Sequence, residues 1–232
     1  MLRLSIFLLL MISACSPLPP GCGNSQSLGS VGNGSLQHGR KFAYYGTHYR
    51  YFSPLSYHLL GRAWVHQKVA AATLEAYAVL AEEGYDQRFM IMECSKRDGG
   101  RMQPHRSHQN GTSIDFGTPL LKYGRPYTGD QALGIWHYAM DFSPSGQLRL
   151  RPWIRIDFEA MGKHILALDA AARHHGMYVK KVILKLDLKD DFYASQAGQE
   201  VKAKGIYLAQ RLPRLIDEVH DDHYHVDFGF LE

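Results

Sequence analysis

The sequence predicts an α+β fold in which helices flank a central antiparallel sheet. Apolar residues recur at helical spacing over residues 62–83 and 157–175, and a glycine follows each stretch. Residues 223–230 alternate between polar and apolar side chains, as a half-buried strand does. Because these elements follow no regular βαβ rhythm and no glycine-rich phosphate loop occurs in the sequence, we expect an antiparallel sheet rather than a doubly wound one.

The other predicted elements are shorter. Residues 24–39 are rich in Gly, Ser and Asn and are expected to be irregular or short-stranded. Residues 95–111, with breakers at Gly99, Gly100 and Pro104, are expected to form a loop. Short strands are predicted over residues 88–94, 112–117 and 178–186, and short helices over residues 191–204 and 212–219.

The composition is that of an ordinary globular protein, with 45% hydrophobic and 21% charged residues. A net charge of +4 is too small to indicate a nucleic-acid partner, and we expect none. Thirteen histidines are many for this length, but a lone histidine is more often a surface residue than a ligand. That expectation applies to His38, His48, His58, His66, His137, His164, His174 and His175.

Residues 1–14 read as a lipoprotein signal peptide, with an apolar run over residues 6–12 that is too short to span a bilayer. The run leads into Ile-Ser-Ala-Cys, which resembles the bacterial lipoprotein box, so Cys15 is the expected lipidation site. Residues 15–23 hold three prolines and two glycines and are expected to be a tether. Position 16 holds Ser rather than Asp, and the resemblance to known lipoproteins then implies the outer membrane of a Gram-negative cell. We therefore expect a periplasmic protein with a lipid anchor as its only membrane contact. The alternative is an ordinary secretory signal with a chance cysteine.

Beyond the tether, residues 24–232 suit a single domain of about 210 residues. If Cys15 is lipidated, Cys22 and Cys94 remain, and an oxidising compartment permits them to pair. Since a sequence does not give the geometry that a disulfide needs, their pairing is left open, as is the oligomeric state.

Two histidine-rich clusters carry the candidate chemistry. On a strand, His223, His225 and Asp227 share one face, and three ionisable groups there are costly unless something such as a metal satisfies them. Asp115 lies in a second predicted strand, and His108 lies in the loop before it. Two nitrogens and one oxygen from His108, Asp115 and His225 would form a three-ligand site with an open fourth position, as in a catalytic zinc centre.

The clusters form part of a longer pattern, which comprises Ser25–Gly34, then Gly99-Gly-Arg101 with His105-x-x-His108-Gln-x-Gly111-x-x-x-Asp115, and finally His220-x-x-His223-x-His225. This pattern resembles the penicillin-insensitive murein endopeptidases. They belong to the group of zinc peptidases that includes lysostaphin, the D-Ala-D-Ala peptidases and hedgehog domains. The resemblance spans most of residues 24–232 and implies a zinc peptidase domain that acts on the stem peptides of peptidoglycan. The family cuts peptide cross-links, typically between D-alanine and diaminopimelate.

The resemblance also implies roles for single residues. His108, Asp115 and His225 would bind one zinc ion, and His223 would be the base that activates the metal water. His220 would orient the water or stabilise the oxyanion.

Two further residues are expected to line the site. In that family, the histidine at the position of His105 lines the site. Arg101 either steers a carboxylate or carbonyl of the substrate with its fork of donors or is a surface charge.

Departures from the family pattern leave the reaction open. The mid-chain Asp-x-x-His pair that can hold a second metal is absent around residues 145–148, so one zinc ion is expected. Asp222 lies three residues before His225, where D-Ala-D-Ala dipeptidases and carboxypeptidases place a catalytic glutamate. A carboxypeptidase or dipeptidase is therefore an alternative, with Asp222 lining the site. A non-catalytic peptidoglycan-binding envelope protein is another, although the presence of His220 and His223 favours catalysis.

Overall fold

A computed structural model describes residues 24–86 and 88–232 of the 232-residue chain. The predictions of a signal peptide, a lipidated Cys15 and a tether fall on residues 1–23, outside that part. Within the described residues, no helix combines the length and the hydropathy that a membrane span requires.

The described residues form an α+β fold. Its strands are β1 (Gln26–Ser30), β2 (Asn33–Gln37), β3 (Arg40–Lys41), β4 (Tyr49–Tyr51), β5 (Trp64–Val65), β6 (Phe89–Ile91), β7 (Ser113–Gly117), β8 (Leu120–Lys122), β9 (Arg125–Tyr127), β10 (Ile154–Ile156), β11 (Met177–Ile183) and β12 (His223–Phe230). Its α-helices are α1 (Gln67–Glu82), α2 (Phe158–His174), α3 (Lys189–Ala194), α4 (Gln196–Ala203) and α5 (Arg214–Glu218). A π-helical turn (Leu55–Leu59) and 3-10 segments (Gly129–Ala139, Leu186–Leu188) connect them.

The central sheet has five strands in the order β11-β12-β7-β6-β4. The predicted antiparallel pairing is confirmed between β11, β12, β7 and β6 but is wrong at one edge, where β4 pairs parallel with β6. The chain between these two strands contains α1, and a parallel pair requires such a long crossover connection. The result is a mixed sheet with one helical crossover.

Helix α1 starts later than the apolar periodicity predicts. Residues 62–66 are not helical, because Trp64 and Val65 pair with β3 instead. His66 then caps the helix, and its side chain accepts a hydrogen bond from the backbone N–H of Lys68 at 3.2 Å. The predicted end is confirmed, since Gly84 follows the last turn with φ +83°.

Helix α2 agrees with its prediction at both ends. Asp157 is the N-cap, and its carboxylate accepts from the backbone N–H of Ala160 at 3.0 Å. Gly176 lies two residues beyond the last helical residue, His174, with φ +70°. Local signals in the sequence were therefore sufficient to predict both ends of this helix.

Helices α1 and α2 pack on one face of the central sheet. Tyr224, Val226 and Phe228 of β12 point to that face and are at most 3% exposed. His164 of α2 is completely buried there, and it hydrogen-bonds the Tyr224 hydroxyl and stacks on Tyr77 of α1. Burying each such large side chain contributes roughly 1.5–3 kcal/mol. The opposite face of β12 is left for polar side chains.

The expectation that eight histidines lie at the surface is wrong for three of them. His66, His137 and His164 are 4%, 2% and 0% exposed, and each is buried by tertiary packing that no local pattern signals. Cys94 is also buried and forms no disulfide within the described residues. Cys22, whose pairing with Cys94 the sequence leaves open, lies outside them.

The hairpin β1–β2 packs against the loop formed by residues 95–111. The backbone N–H of Gln109 donates to the carbonyl of Val31 at 3.0 Å, and that of Leu36 donates to the carbonyl of Asp98 at 3.1 Å. Gly99 sits at this contact with φ +72°, where a Cβ would lie 2.1 Å from the carbonyl oxygen of Gln109. Only glycine fits this close backbone approach.

We predict that Gly99→Ala destabilises the fold far more than Gly100→Ala does. Both residues have positive φ, so each alanine carries a backbone strain of about 1 kcal/mol. Nothing lies within 4 Å of the Cβ position of Gly100, whereas that of Gly99 meets backbone atoms. Urea unfolding of both variants measures the difference, and equal free energies of unfolding would contradict the packing described for the hairpin.

Candidate metal centre

The pairing of β7 with β12 brings the two histidine-rich clusters together. Asp115 lies directly opposite His225 in the antiparallel register, and Ser113 lies opposite Asp227. Opposed residues project from the same face of a sheet, and their Cβ atoms are about 4.5–5.5 Å apart. Segments separated by more than a hundred residues along the chain thus place their ionisable side chains side by side.

Three side chains at this face form a group that could hold a metal ion. One potential ligand atom from each of His105, His108 and Asp115 lies within 4.8 Å of the other two. His108 Nε2 is 3.1 Å from Asp115 Oδ2, and His105 Nδ1 is 3.7 Å from the same oxygen. His108 and Asp115 are at most 1% exposed.

Two buried atoms in this group lack hydrogen-bond partners. His108 Nε2 and Asp115 Oδ2 face each other without forming a hydrogen bond, and buried polar atoms are rarely left so. Two ligands held at tetrahedral positions around one zinc ion lie roughly 3.3 Å apart, which is close to the separation found here. The two atoms therefore fit a metal ion between them.

The backbone at His108 aims its ring at this position. Its φ of +66° is uncommon for a residue other than glycine and indicates strain that the surrounding structure maintains. His108 Nδ1 donates to the carbonyl of Ser113 at 3.3 Å, so the other ring nitrogen, Nε2, is the one directed at Asp115. Burial opposes ionisation of Asp115, but His108 and His225 outweigh it and hold the pKa of the carboxyl well below its usual value.

His225 is held between two carboxylates. Its Nδ1 lies 2.7 Å from Asp115 Oδ1, and its Nε2 lies 2.6 Å from Asp227 Oδ1. Burial alone would lower the pKa of His225, but the two carboxylates raise it to about 10. Asp227 is fixed in turn by the Ser113 hydroxyl at 2.6 Å and the Lys181 ammonium at 2.7 Å. Ligating histidines are commonly oriented by such a carboxylate on the other ring nitrogen.

A second carboxylate, Asp222, holds two histidines at once. His223 Nδ1 lies 2.6 Å from Asp222 Oδ1, and His137 Nδ1 lies 2.9 Å from Asp222 Oδ2. All three residues are 2% exposed, so Asp222 is not a solvated group. Burial lowers the pKa of His223, but the adjacent Asp222 more than compensates and raises it above the usual value. The arrangement leaves Nε2 of His223 as its free nitrogen.

His220 completes the group of imidazoles. Its ring centroid is 4.7 Å from that of His223 and 6.4 Å from that of His225. Burial lowers its pKa to about 3, so the ring is neutral at pH 7. Nδ1 donates to the carbonyl of Ile216, which leaves Nε2 as an acceptor.

The structure brings most of the predicted site residues together: His105, His108, Asp115, His220, Asp222, His223 and His225. Arg101 is exposed in the loop, and its role in steering substrate stays a prediction. The prediction for Cys15 lies outside the described residues.

Sequence reasoning missed two residues near the site, His137 and Glu93, and left the role of Asp227 undefined. His137 lies in a 3-10 segment without periodicity, so nothing local distinguishes it from a surface histidine. The alternation of residues 223–227 indicated that Asp227 lies on the same strand face as His223 and His225, but it did not indicate that Asp227 contacts His225. Glu93 is 3% exposed beside Arg62, and burial raises its pKa to about 7.

Comparison of the chain with protein-family models finds no match, and comparison with curated proteins finds none either.

We predict that Asp115→Asn lowers the affinity for a divalent cation at least about 100-fold. The change keeps the shape of the side chain but removes its charge, and loss of a group that merely supports a ligand already weakens binding 10–100-fold. Calorimetric titration with zinc chloride measures the effect. Asp141→Asn is the matched control, because Asp141 has an exposed carboxylate. The metal-binding interpretation would be wrong if both variants bound zinc like the parent protein.

Proposed function

We propose that the protein is a zinc metallopeptidase that hydrolyses peptide cross-links in bacterial peptidoglycan, in the manner of a murein DD-endopeptidase. The observation that carries the proposal is a pair of buried, unpartnered ligand atoms on His108 and Asp115, close to a histidine whose ring is held by a carboxylate. The substrate class rests on the resemblance of the sequence motifs to the murein endopeptidases.

The ligands we propose for a single zinc ion are those that the sequence motifs imply, His108 Nε2, Asp115 Oδ2 and His225 Nδ1. The potential ligand atoms that lie within 4.8 Å of one another in the structure come instead from His105, His108 and Asp115. The other ring nitrogen of each histidine is already engaged, by the carbonyl of Ser113 for His108 and by Asp227 for His225. This division of the two nitrogens is typical of ligating histidines. Nδ1 of His225 lies 2.7 Å from Asp115 Oδ1, and a nitrogen that binds a metal carries no proton, so this contact would give way to the metal bond. His105 would line the site beside the ion.

When bound, zinc supplies Lewis-acid activation of a water molecule and of the scissile carbonyl. Nε2 of His223 would accept a proton from the attacking water, because Nδ1 is committed to Asp222. The negative charge of Asp222 would stabilise the imidazolium that results. His220, neutral and with Nε2 as an acceptor, is suited to orienting water rather than to donating a hydrogen bond to an oxyanion.

The geometry around Asp222 argues against the carboxypeptidase alternative in the form that uses this residue as the base. Both of its carboxylate oxygens are bound to histidines, and the side chain is buried. It is therefore better placed to hold His223 than to accept a proton from water. The non-catalytic alternative gains no support from the site, because a binding module has no need of a carboxylate-held histidine beside the metal position.

The proposed cellular location follows from the N-terminal sequence. A lipid anchor on Cys15 would hold the peptidase domain in the periplasm, within reach of peptidoglycan.

We predict that His225→Ala lowers zinc affinity much more than His105→Ala does. His225 is buried and braced by Asp227, whereas the side chain of His105 is 18% exposed and its Nδ1 lies 3.7 Å from Asp115. Dialysis against buffered zinc, followed by measurement of bound metal, compares the two variants. If His105→Ala lost the metal and His225→Ala kept it, the third ligand would be His105 instead.

We predict that the zinc-loaded protein releases monomers from purified cross-linked muropeptide dimers and that a chelator stops the reaction. Mass analysis of the products distinguishes the alternatives: free D-alanine would indicate a carboxypeptidase, and no release would indicate a binding protein. His223→Ala should keep its zinc but lose turnover on the order of 10²–10⁴-fold, as expected for a lost general base. His48→Ala, which removes a histidine paired with Asp86 away from the site, is the control.

A further inference from the structure

His137 is connected to the candidate base through one carboxylate. It lies near the end of the 3-10 segment Gly129–Ala139, 85 residues from Asp222 along the chain, and its Nδ1 is 2.9 Å from Asp222 Oδ2. The second oxygen of Asp222 is 2.6 Å from His223 Nδ1. A single buried carboxylate therefore bridges two imidazoles.

The bridge constrains the side chain of Asp222 in a way that its backbone contacts do not. Thr118 donates to the carbonyl of Asp222 from both its backbone N–H and its hydroxyl, each at 3.0 Å, which fixes the main chain. The carboxylate can still rotate about its last torsion, which is a soft one. Two imidazole N–H donors, one on each oxygen, set that rotation.

We propose that His137 is a positioning residue for His223. By holding Oδ2 of Asp222, it orients Oδ1 towards His223 and thereby fixes the ring plane and the tautomer in which Nε2 is free. The inference rests on the proposed function, in which His223 is the base. In many catalytic sites a carboxylate orients the histidine that acts as the base. Groups that contact such an orienting residue commonly affect activity as well, and His137 is such a group for Asp222.

The residue after His137 supports the same ring from another side. The Tyr138 ring packs edge-on against His223, with centroids 5.6 Å apart and planes at 87°. The ring of His220 also packs against His223, with the two centroids 4.7 Å apart. One short segment thus contacts His223 twice, directly through Tyr138 and indirectly through His137 and Asp222.

A purely structural role for His137 predicts a different outcome. A buried His–Asp pair is weak evidence for stability, since desolvation of both groups offsets much of their attraction. If His137 served stability alone, its removal would lower the melting temperature but leave the state of the His223 ring unchanged. The two roles can therefore be separated by measurements on His223 itself.

The test compares His137→Ala and His137→Asn in the zinc-loaded protein. The asparagine amide can donate to Asp222 from about the place of Nδ1, so it should rescue what alanine loses. We expect His137→Ala to lower kcat on cross-linked muropeptide dimers about tenfold, with KM and zinc content unchanged. His137→Asn should recover most of the parent kcat. His66→Ala is the control, because it removes another buried, hydrogen-bonded histidine that does not touch Asp222.

A second readout needs no substrate. Long-range ¹H–¹⁵N correlation spectra of the histidine rings report the tautomer of His223, which should change in His137→Ala and return in His137→Asn. An unchanged His223 signal in the alanine variant, or a kcat within twofold of the parent, would overturn the inference. If alanine prevents folding, His137→Leu takes its place, because it fills the buried space but offers Asp222 no donor: a displaced His223 signal in that variant supports the inference, and an unchanged signal overturns it. Should the parent protein cleave no dimer, the proposed function fails, while the spectra still decide whether His137 holds His223.

Discussion

The register between β7 and β12 is the constraint on which the site depends. Asp115 faces His225 only because these strands pair with these residues opposite each other. A slip of one residue would turn the side chains of one strand to the other face, and Phe116 would then lie at the candidate metal position. The apolar pairs that the same register creates, Ile114 with Val226 and Phe116 with Tyr224, are buried under the helices and hold it in place. Core packing and ligand geometry are thus set by one pairing.

Burial of the polar face of β12 costs little free energy, because almost every ionisable group there has a partner of opposite charge or a hydrogen-bond partner. Asp227 meets His225, Ser113 and Lys181, and Asp222 meets two histidines. A buried carboxylate without such partners would cost several kcal/mol. Among the described residues of the site, the exceptions are the facing atoms of His108 and Asp115 and one carboxylate oxygen of Glu93, which the fold leaves without a hydrogen bond. Violations of polar satisfaction concentrate at functional sites, and the facing pair belongs to the group that could hold a metal ion.

The features that could be predicted from the sequence are those specified by neighbouring residues, such as strand alternation and helix caps. The alternation over residues 223–230 defined β12 and its polar face, and Asp157 and Gly176 marked the ends of α2. The parallel strand β4 could not be predicted, because its partner is chosen by a crossover rather than by its own residues. His137 was predicted to be a surface histidine because its hydrogen-bond partner, Asp222, lies 85 residues away along the chain, and no local sequence pattern connects the two.

The hairpin β1–β2 contributes to the structure mainly by hydrogen bonds to the loop that contains His108, and only slightly by burial of apolar surface. Most of its residues are exposed or half-exposed, and Leu36 is its one fully buried strand residue among those described, so it adds little hydrophobic stabilisation. Its backbone and Ser27 instead bind Gln109 and Asn110, at 3.0 and 2.7 Å. Those two residues directly follow His108, whose positive φ the chain would not keep unaided. A surface hairpin thereby supplies the restraint that keeps His108, a candidate metal ligand with a strained backbone, aimed at Asp115.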